Sequence, residues 1–488
     1  MTQLLCRFTS ILFLQILFIQ CVSGQYNPTY NNEVEEKIKL VEKNLYNHLR
    51  IDTLTQTLSQ QMEKYKIPGV SIAVIKNNKL EWARGYGYAD KEAKIPVTVQ
   101  TLFQAASISK SLNAVGVMKL VQEEKLNLDN DINSFLSSWK FPYDSSKGKK
   151  TITIKHLLSH TAGLNRLGFR GYNPSSKLPN IVQILTGASP ARNCRIKSIA
   201  DAGSQHRYSN GGISITQLIV SDITKTPYDQ YMKKEVLNKL NMMESFYTTP
   251  PPIDKIKFLA TGYNKKRHVK GKYRIYPDQA PSSLWTNPTE LSNYIIEMQL
   301  AFAGKSEKVL NSQSVQKMFT HVMGGSALGV FLERKDSIEY FIHSGSTHGF
   351  KSVYIASVEE GNGAIVMVNS NNGKILDEIV NSISVLYGWK HSLKVFPKVV
   401  DVPAAILRSY TGVYKIDPNF SIRVRKKGDV LFAQGTDQGA FPIYPEGTNK
   451  FFSKVGGIQI EFVKNTNGKV SKMVLIQDAF SDDYIKRK

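Results

Sequence analysis

Cysteine is scarce in this sequence. Three cysteines occur among 488 residues, and two of them, Cys6 and Cys21, lie near the N-terminus in a segment that we expect to be removed. Cys194 would then be the one cysteine of the processed chain, which excludes an internal disulfide. A single cysteine in an exported protein is usually a small buried hydrophobic residue, so we expect this role for Cys194 rather than that of a reactive thiol.

Long apolar stretches are absent beyond the N-terminus, so we expect no membrane-spanning helix in the rest of the chain. Residues 8–19 form an apolar run that is short for a bilayer; they follow Arg7 and precede small residues at 22–24. We therefore predict that residues 1–24 are a cleaved secretory signal and that the protein is exported, either periplasmic or secreted. A lipid anchor at Cys21 is the minority alternative, because a bulky glutamine precedes this cysteine.

Acidic residues are fewer than basic ones. The sequence has 40 Asp and Glu and 63 Lys and Arg, which gives a formal net charge of +23. The basic residues are scattered and form no periodic stripe interleaved with aromatic residues, so we expect no nucleic-acid partner. We expect a solvated basic surface instead, whose field would attract anionic material of the cell envelope.

A helical metal-binding pair is also missing. His156 and His160 are four residues apart, but Leu157 stands where the metalloprotease pattern places glutamate. We therefore expect structural histidines at both positions, no bound metal ion and no cofactor.

Ser107 stands at the start of a predicted helix that runs to about Glu124. Apolar residues recur at three- to five-residue steps and predict one buried helical face: Ile108, Leu112, Val115 and Leu120. Lys110 follows Ser107 by three residues, so both side chains share a face at roughly 5–6 Å between Cβ atoms. A desolvated lysine can take the proton of a serine hydroxyl and turn it into a nucleophile.

The Ser-x-x-Lys spacing alone is a weak signal, because three other pairs share it: Ser137 and Lys140, Ser146 and Lys149, Ser314 and Lys317. None of these pairs has the small-residue entry and the long apolar helix that accompany Ser107. Two further motifs follow Ser107 in order along the chain, first Tyr208-Ser209-Asn210 and then His343-Ser344-Gly345. The three motifs together favour a catalytic site.

The order of predicted elements indicates an α+β domain. Two strands, 70–75 and 80–86, form a hairpin near the N-terminus, and four more strands lie within 328–368, with helices between the two groups. Strands from both ends of the domain therefore predict one antiparallel sheet flanked by helices. We expect residues 165–206, which are rich in Gly, Pro, Ser and Arg, to form a long excursion beside a cleft.

The C-terminal part of the sequence has a different pattern. Short strands separated by turns follow two prolines and predict a small all-β, barrel-like domain. The predicted divisions are a signal at 1–24, a leader and helix at 25–50, the main domain at 51–392, a linker at 393–403 and the β domain at 404–488.

The sequence resembles the superfamily of serine β-lactamases and penicillin-binding proteins, in the branch of class C β-lactamases, D-alanyl-D-alanine carboxypeptidases and esterases. The resemblance covers roughly residues 50–390. It rests on the Ser-x-Ser-Lys helix, on Leu-Leu-Ser-His-Thr-Ala-Gly-Leu at 157–164, on the Tyr-Ser-Asn before a helix and on Gly345 followed by Gly349-Phe350. It implies a β-lactamase/transpeptidase-like fold, with an antiparallel sheet flanked by helices and a helical subdomain.

The resemblance also implies roles for the first two motifs. Ser107 would be the nucleophile, with Lys110 as its hydrogen-bonded partner. Tyr208 would share the general-base work with this lysine, through a phenol whose pKa is lowered by nearby positive charge. Asn210 would hold Lys110 and a carbonyl of the substrate.

The third motif would supply the oxyanion hole and part of the substrate site. Backbone N–H groups of Ser107 and Ser346, the latter next to Gly345, would stabilise the tetrahedral oxygen. Many β-lactamases and carboxypeptidases carry lysine where this chain has His343, and histidine is charged only in part near neutral pH. We therefore expect a small ester, amide or peptide substrate rather than efficient recognition of β-lactams or terminal D-alanine.

Two hypotheses follow for the function. The first is an exported serine hydrolase, an esterase or a peptidase/amidase, that acts through an acyl-enzyme at Ser107 with Lys110 and Tyr208 as general base. The alternative is a catalytically silent, penicillin-binding-like receptor that binds cell-wall fragments or a protein partner. All residues for acyl transfer are present, which favours the enzyme. The C-terminal domain would serve for packing against the main domain or for oligomerisation.

Overall fold

A computed structural model describes residues 27–45, 56–143, 151–165, 167–264, 267–390, 399–417, 420–436, 439–453, 458–477 and 480–486. The predicted signal, with Cys6 and Cys21, lies outside these residues, as do Ser146 and Lys149. Within the described ranges, no helix combines the length and the apolar character needed to cross a membrane.

The described helices are α1 (Asn32–Lys43), α2 (Leu58–Tyr65), α3 (Ser109–Gln122), α4 (Ile154–Leu158), α5 (Ile181–Thr186), α6 (Asn210–Thr224), α7 (Tyr228–Met232), α8 (Gln279–Ser282), α9 (Pro288–Phe302), α10 (Ser312–Met318), α11 (Lys374–Tyr387) and α12 (Ala404–Ser409). Three 3₁₀ turns accompany them, at Ala106–Ile108, Ile132–Ser134 and Ile253–Phe258, and a π-helical turn at Lys233–Leu237 follows α7.

The strands of the main domain are β1 (Gly69–Lys76), β2 (Lys79–Asp90), β3 (Ile95–Pro96), β4 (Phe103–Gln104), β5 (Tyr263–Asn264), β6 (Arg267–His268), β7 (Trp285–Thr286), β8 (Phe331–Lys335), β9 (Ile338–Thr347), β10 (Phe350–Ser357) and β11 (Gly363–Val368). The C-terminal strands are β12 (Gly412–Asp417), β13 (Phe420–Lys427), β14 (Val430–Gly435), β15 (Phe441–Pro445), β16 (Lys450–Phe452), β17 (Ile458–Lys464), β18 (Val470–Gln477) and β19 (Phe480–Lys486).

Strands from both ends of the main domain form one seven-stranded sheet, as the sequence predicts. The strand order is β3-β2-β1-β11-β10-β9-β8, and every neighbouring pair is antiparallel. The N-terminal hairpin joins the C-terminal strands where β1 pairs with β11, with Val70 opposite Val368. The helices are inserted between the two ends of the sheet, and the 3₁₀ turn at Ala106–Ile108, which precedes α3, packs against β9.

The sheet is covered on both faces, because side chains alternate along each strand. On β1, Val70, Ile72 and Val74 pack into a core that includes α1, α2 and α11. Ala73 and Ile75 point to the other face, into the larger core with the helical part of the domain.

Helix α3 is buried on all sides rather than on one face. The sequence predicts a single apolar stripe, but only Lys119, Val121 and Gln122 of this helix keep partial exposure. The prediction of one buried face was wrong because α6, α8 and α10 all pack against the helix. Lys110 is therefore enclosed by protein although it is a charged residue type.

The C-terminal strands β12 to β19 form a closed eight-stranded barrel, which confirms the predicted barrel-like domain. Closure comes from the pairing of β12 with β19, so that the barrel has no open edge at this point. Its core contains the stacked rings of Tyr410 and Phe462, whose centroids are 4.3 Å apart.

The expectation of a buried Cys194 was wrong. This cysteine is exposed in the segment that follows α5. Apolar Ile184, Leu185 and Ile196 fill the local core of that segment instead, and they leave the cysteine at the surface.

Candidate active site

Ser107 lies in a 3₁₀ turn that links strand β4 to helix α3. The preceding residue, Ala106, has a positive φ of 54°, a conformation that costs a residue with a side chain about 1–2 kcal/mol. Two hydrogen bonds hold the backbone of Ala105 next to it: its N–H donates to the Leu284 carbonyl at 2.8 Å, and its carbonyl accepts from Ser352 Oγ at 2.9 Å. The turn is therefore fixed from two sides, and it presents the Ser107 hydroxyl at the start of the helix.

Lys110 reaches Ser107 from the first turn of α3. Its Nζ lies 2.9 Å from Ser107 Oγ and also donates to the Pro281 carbonyl at 2.9 Å. Burial holds the pKa of this amine well below its usual value, against the opposing charge of Asp278. A neutral amine at this distance can accept the proton of the serine hydroxyl.

Tyr208 is the second side chain in contact with the Ser107 hydroxyl. Its phenol is hydrogen-bonded to Ser107, and the Nζ of Lys110 lies 4.8 Å from the centroid of its ring. Burial raises the pKa of this phenol, and the hydrogen bond from Ser107 only partly opposes the effect.

The lowered phenol pKa that the family resemblance implies for Tyr208 was therefore wrong. The amine faces the ring and is itself driven towards its neutral form, so it supplies little charge to stabilise a phenolate. Burial thus keeps Tyr208 protonated and leaves Lys110 as the group with a free lone pair.

Asn210 is the first residue of α6, directly after the N-cap Ser209. Its Nδ2 lies 3.4 Å from Ser282 Oγ, which in turn donates to Asp278 at 2.8 Å. The expected hydrogen bond from Asn210 to Lys110 is not made, because the Pro281 carbonyl takes that place. Oδ1 of Asn210 is buried without a hydrogen-bond partner in the described structure, a state that costs about 1–3 kcal/mol unless a ligand satisfies it.

Gly345 brings strand β9 against the turn that carries Ser107. A Cβ atom at this position would lie 2.1 Å from the carbonyl oxygen of Ala105 and 2.3 Å from Ser352 Oγ, so only glycine fits. The backbone of β9 at Gly345 is therefore packed directly against Ala105 in the turn that carries Ser107. The Ser346 hydroxyl instead accepts from Lys351 Nζ at 2.7 Å, so it is engaged apart from the catalytic groups.

His343 lies on the same strand and is only 3% exposed. Its Nδ1 is 2.7 Å from the carbonyl oxygen of Ser344, so this nitrogen carries the proton and donates it. Burial and the nearby Lys110 lower the pKa of His343 to about 3. The expectation of a partial positive charge near neutral pH was therefore wrong, and position 343 holds a neutral imidazole.

Aromatic and histidine rings form a wall behind Tyr208, which the sequence motifs did not reveal. The ring of His160 lies 4.2 Å from that of Tyr208, and its Nδ1 accepts from the Ser209 N–H at 3.2 Å. Phe331 packs against His343 at 5.2 Å between ring centroids, and His206 lies within 6.4 Å of the wall on its far side. Burial lowers the pKa of His160 and of His206, so the wall is uncharged.

Two signals in the sequence point to members of this wall. His160 belongs to the segment at 157–164, and His206 precedes Tyr208 by two residues.

His156 has a local role, since its Nδ1 accepts from the Thr153 N–H at 3.2 Å in a capping box at α4. No group of three or more His, Cys, Asp or Glu in the described ranges is placed to hold a metal ion.

Helix α8 also contributes residues to the active site, and the sequence did not predict them. Pro281 binds Lys110 through its carbonyl, and Ser282 contacts Asn210. No motif marks these residues, because one contact is made by the backbone and the other by a common serine.

The fold and the arrangement around Ser107 define a protein of the serine β-lactamase and penicillin-binding-protein superfamily. The chain belongs to the Beta-lactamase family, whose sequence profile matches residues 54–379. The C-terminal barrel matches a second family, a domain of unknown function (DUF3471), over residues 397–486.

Comparison with known proteins agrees with this assignment. The chain is similar to Protein flp of Staphylococcus aureus (strain MRSA252), with 26% identity over 335 residues, which are 66% of this chain and 63% of that protein. It thus spans less than two thirds of the length of this relative. The structure of the octameric penicillin-binding protein homologue from Pyrococcus abyssi has a TM-score of 0.61 at 23% identity and covers 88% of this chain and 98% of its own. D-amino acid amidase from Ochrobactrum anthropi SV3 has a TM-score of 0.56 at 20% identity and covers 74% and 100%.

Proposed function

We propose that the protein is an exported serine hydrolase that cleaves an ester, amide or peptide bond through an acyl-enzyme at Ser107. The observation that carries this proposal is the 2.9 Å distance between Lys110 Nζ and Ser107 Oγ, with the amine fully buried. Burial favours the neutral amine, which is the form that can act as a base.

In the first step, Ser107 Oγ attacks the carbonyl carbon of the substrate while its proton passes to Lys110 Nζ. The phenol of Tyr208, which is hydrogen-bonded to Ser107, gives its proton to the leaving group and takes one from the Lys110 ammonium. The bond to the leaving group breaks and the acyl-enzyme forms. In the second step, water attacks the acyl carbonyl, loses a proton to the same pair of residues and releases the acid, and the Ser107 hydroxyl is restored.

Two features of the site would stabilise the charge and the position of the substrate. Backbone N–H groups of Ser107 and Ser346 would bind the tetrahedral oxygen, and each such donor contributes about 3 kcal/mol. The unpaired Oδ1 of Asn210 would accept a hydrogen bond from an N–H group of the substrate. An amide or an amino-acyl ester offers such a donor.

Substrate class follows from the neutral His343. Without a permanent cation at this position, binding of β-lactams or terminal D-alanine by their carboxylate is weakened, and esters or amides become the better substrates. The similarity in fold to a D-amino acid amidase supports amide chemistry as one of these activities.

The alternative of a catalytically silent receptor is not favoured, because Ser107, Lys110, Tyr208 and Asn210 are all kept. Hydrolysis of an activated ester, such as a nitrophenyl ester, distinguishes the two. We expect turnover by the purified protein and none by Ser107→Ala. Equal release of nitrophenol by both proteins would contradict the proposed function.

We also propose that the protein is exported and that it forms oligomers. The proposal of export rests on the signal predicted for residues 1–24, and mass spectrometry of the mature protein should find an N-terminus after residue 24. A diacylglycerol adduct at Cys21 would show the lipid-anchored form instead. Assembly rests on the octameric homologue from Pyrococcus abyssi, and light scattering of the purified protein tests it by mass.

A further inference from the structure

Asp278 is a buried acidic residue to which the proposed reaction steps assign no role. It directly precedes helix α8 and is only 1% exposed. A carboxylate in the protein interior has to be held by hydrogen-bond donors or by a positive charge. One such donor is the hydroxyl of Ser282, whose Oγ lies 2.8 Å from Oδ2 of Asp278.

Ser282 connects this carboxylate to Asn210. A serine hydroxyl has one proton to donate, and the proton of Ser282 is directed to the carboxylate, which can only accept. Towards its other neighbour, Nδ2 of Asn210 at 3.4 Å, the oxygen of Ser282 can therefore act only as an acceptor. We call Asp278, Ser282 and Asn210 together the polar relay.

The polar relay fixes the orientation of the Asn210 amide. If this side chain turned by half a rotation, Oδ1 would face the oxygen of Ser282, and two acceptors would meet without a proton between them. Nδ2 would also lose its acceptor in a buried place, which is unfavourable. In the orientation observed, Oδ1 is the atom without a hydrogen-bond partner among the described residues, so it is free to accept from an N–H group.

Two connections hold the polar relay in the active site. Ser282 directly follows Pro281, whose carbonyl accepts from Lys110 Nζ at 2.9 Å. Asn210 follows by two residues the tyrosine whose phenol is hydrogen-bonded to the nucleophile. A change in the relay therefore reaches both the base and the substrate.

Asp278 also acts on the base through its charge. Its carboxylate opposes the effect of burial on the pKa of Lys110. Burial keeps three other titratable groups around this amine uncharged: Tyr208, His160 and His343. Loss of the Asp278 charge should therefore lower the pKa of Lys110 further, whereas loss of the Ser282 hydroxyl should not.

We propose that Asp278 is a positioning residue with two effects on the reaction. Through Ser282 it fixes Oδ1 of Asn210 as the atom that accepts from the substrate, and through its charge it stabilises the ammonium that Lys110 becomes when it takes the proton of Ser107. This inference rests on the proposed hydrolase function and adds the residues that orient its groups.

The test uses two nitrophenyl esters that differ in one group. The ester of N-acetylglycine has an N–H group one carbon away from the acyl carbonyl, and the ester of acetoxyacetic acid has an oxygen in its place. Each variant is compared with the parent by the ratio of kcat/KM for the first ester to that for the second, so that differences in intrinsic reactivity cancel. We expect Asp278→Ala and Ser282→Ala each to lower this ratio about tenfold.

Two further variants separate the two effects. Asp278→Asn keeps an oxygen that can accept from Ser282 but removes the charge, so it should retain most of the ratio and move the rising limb of the pH profile to lower pH. Ser282→Ala should leave that limb in place. Asp278→Ala combined with Ser282→Ala should lose no more of the ratio than either change alone, because both break the same relay.

The matched control is Asp222→Ala. Asp222 is also a buried aspartate that accepts from a serine hydroxyl, that of Ser138, and it lies on α6 twelve residues after Asn210. This variant should change neither the ratio nor the limb. An unchanged ratio in Ser282→Ala, an unchanged limb in Asp278→Asn or an equal change in the control would overturn the inference.

A binding measurement separates this inference from the proposed function. In the Ser107→Ala background, calorimetry compares the methyl esters of N-acetylglycine and acetoxyacetic acid with and without Ser282→Ala. A preference for the N-acetylglycine ester that Ser282→Ala removes supports the polar relay even if the parent protein hydrolyses neither nitrophenyl ester, in which case the hydrolase proposal fails. Equal affinities for the two methyl esters with the relay intact, or no binding of either, overturn the inference.

Discussion

Lys110 Nζ and Ser107 Oγ lie 2.9 Å apart at the start of α3, and the lysine is completely buried. The short distance brings the base to the nucleophile, and the burial decides its protonation state.

Ser107 should be the one serine that a fluorophosphonate probe labels. The probe reacts with a hydroxyl whose proton can be removed, and Lys110 provides this at Ser107. Ser107→Ala should abolish labelling, as read by mass mapping of the adduct. The matched control is Ser314→Ala, because Ser314 also has a lysine three residues later. The probe should label Ser107 in this variant as it does in the parent protein. An adduct on Ser314 or Ser137 would contradict the assignment.

Lys110 and Tyr208 should act as one unit of proton transfer. Loss of either side chain, in Lys110→Ala or Tyr208→Phe, should lower kcat about 100- to 10,000-fold, and the double variant should lose little more. Lys119→Ala, on the same helix but ion-paired with Glu123 at its surface, is the control and should keep its activity. Losses that multiply in the double variant would show that the two residues act independently.

The pH dependence of activity should reflect the pKa of the general base, Lys110. Because burial lowers the pKa of Lys110, activity on a neutral ester should rise with pH through a limb that lies well below the ordinary lysine value of 10.5. A limb at the ordinary value would show that the amine is not desolvated in solution. A further limb near pH 6.5 from His343 is not expected, since the pKa of this imidazole is about 3.

His343 should couple stability to pH. Its pKa is about 3 in the folded protein, against about 6.5 in the unfolded chain. Between these values the unfolded chain binds more protons, so the stabilisation present above pH 6.5 is lost as pH falls towards 3. The free energy of unfolding should therefore decrease over this window by about 3–5 kcal/mol from this residue. Urea titrations of the parent and of His343→Gln check this, and parallel pH dependences would contradict it.

Gly345→Ala should damage both stability and activity. The added methyl group would lie 2.1 Å from the Ala105 carbonyl oxygen and force β9 away from the turn of Ser107. We expect a loss of about 1–3 kcal/mol in the free energy of unfolding and a larger fall in kcat than in ester binding. Gly439→Ala, where no atom lies within 4 Å, is the control for the substitution itself. A normal kcat in Gly345→Ala would show that β9 does not contribute to the oxyanion hole.

Much of the fold could be predicted from the sequence because its signals are local. Short strand-like segments separated by polar turns, at β1 and β2 and again after Leu328, predict an antiparallel sheet built from both ends of the domain. The run of short strands after residue 404 predicts the barrel. The full burial of α3 could not be predicted in this way, because it depends on which helices pack around it. The exposure of Cys194 likewise depends on which residues of its segment reach the core.

By itself, the sequence determined the order and spacing of the three motifs, and these place Ser107, Lys110 and Tyr208 in one known kind of site. Only the tertiary structure decided the charge of the groups in it. The protonation of Lys110, Tyr208 and His343 depends on how far each is removed from water, and the groups that remove them, such as Pro281 and Phe331, are distant in sequence. A pattern of residues records which groups are present, whereas a pKa depends on everything packed around them.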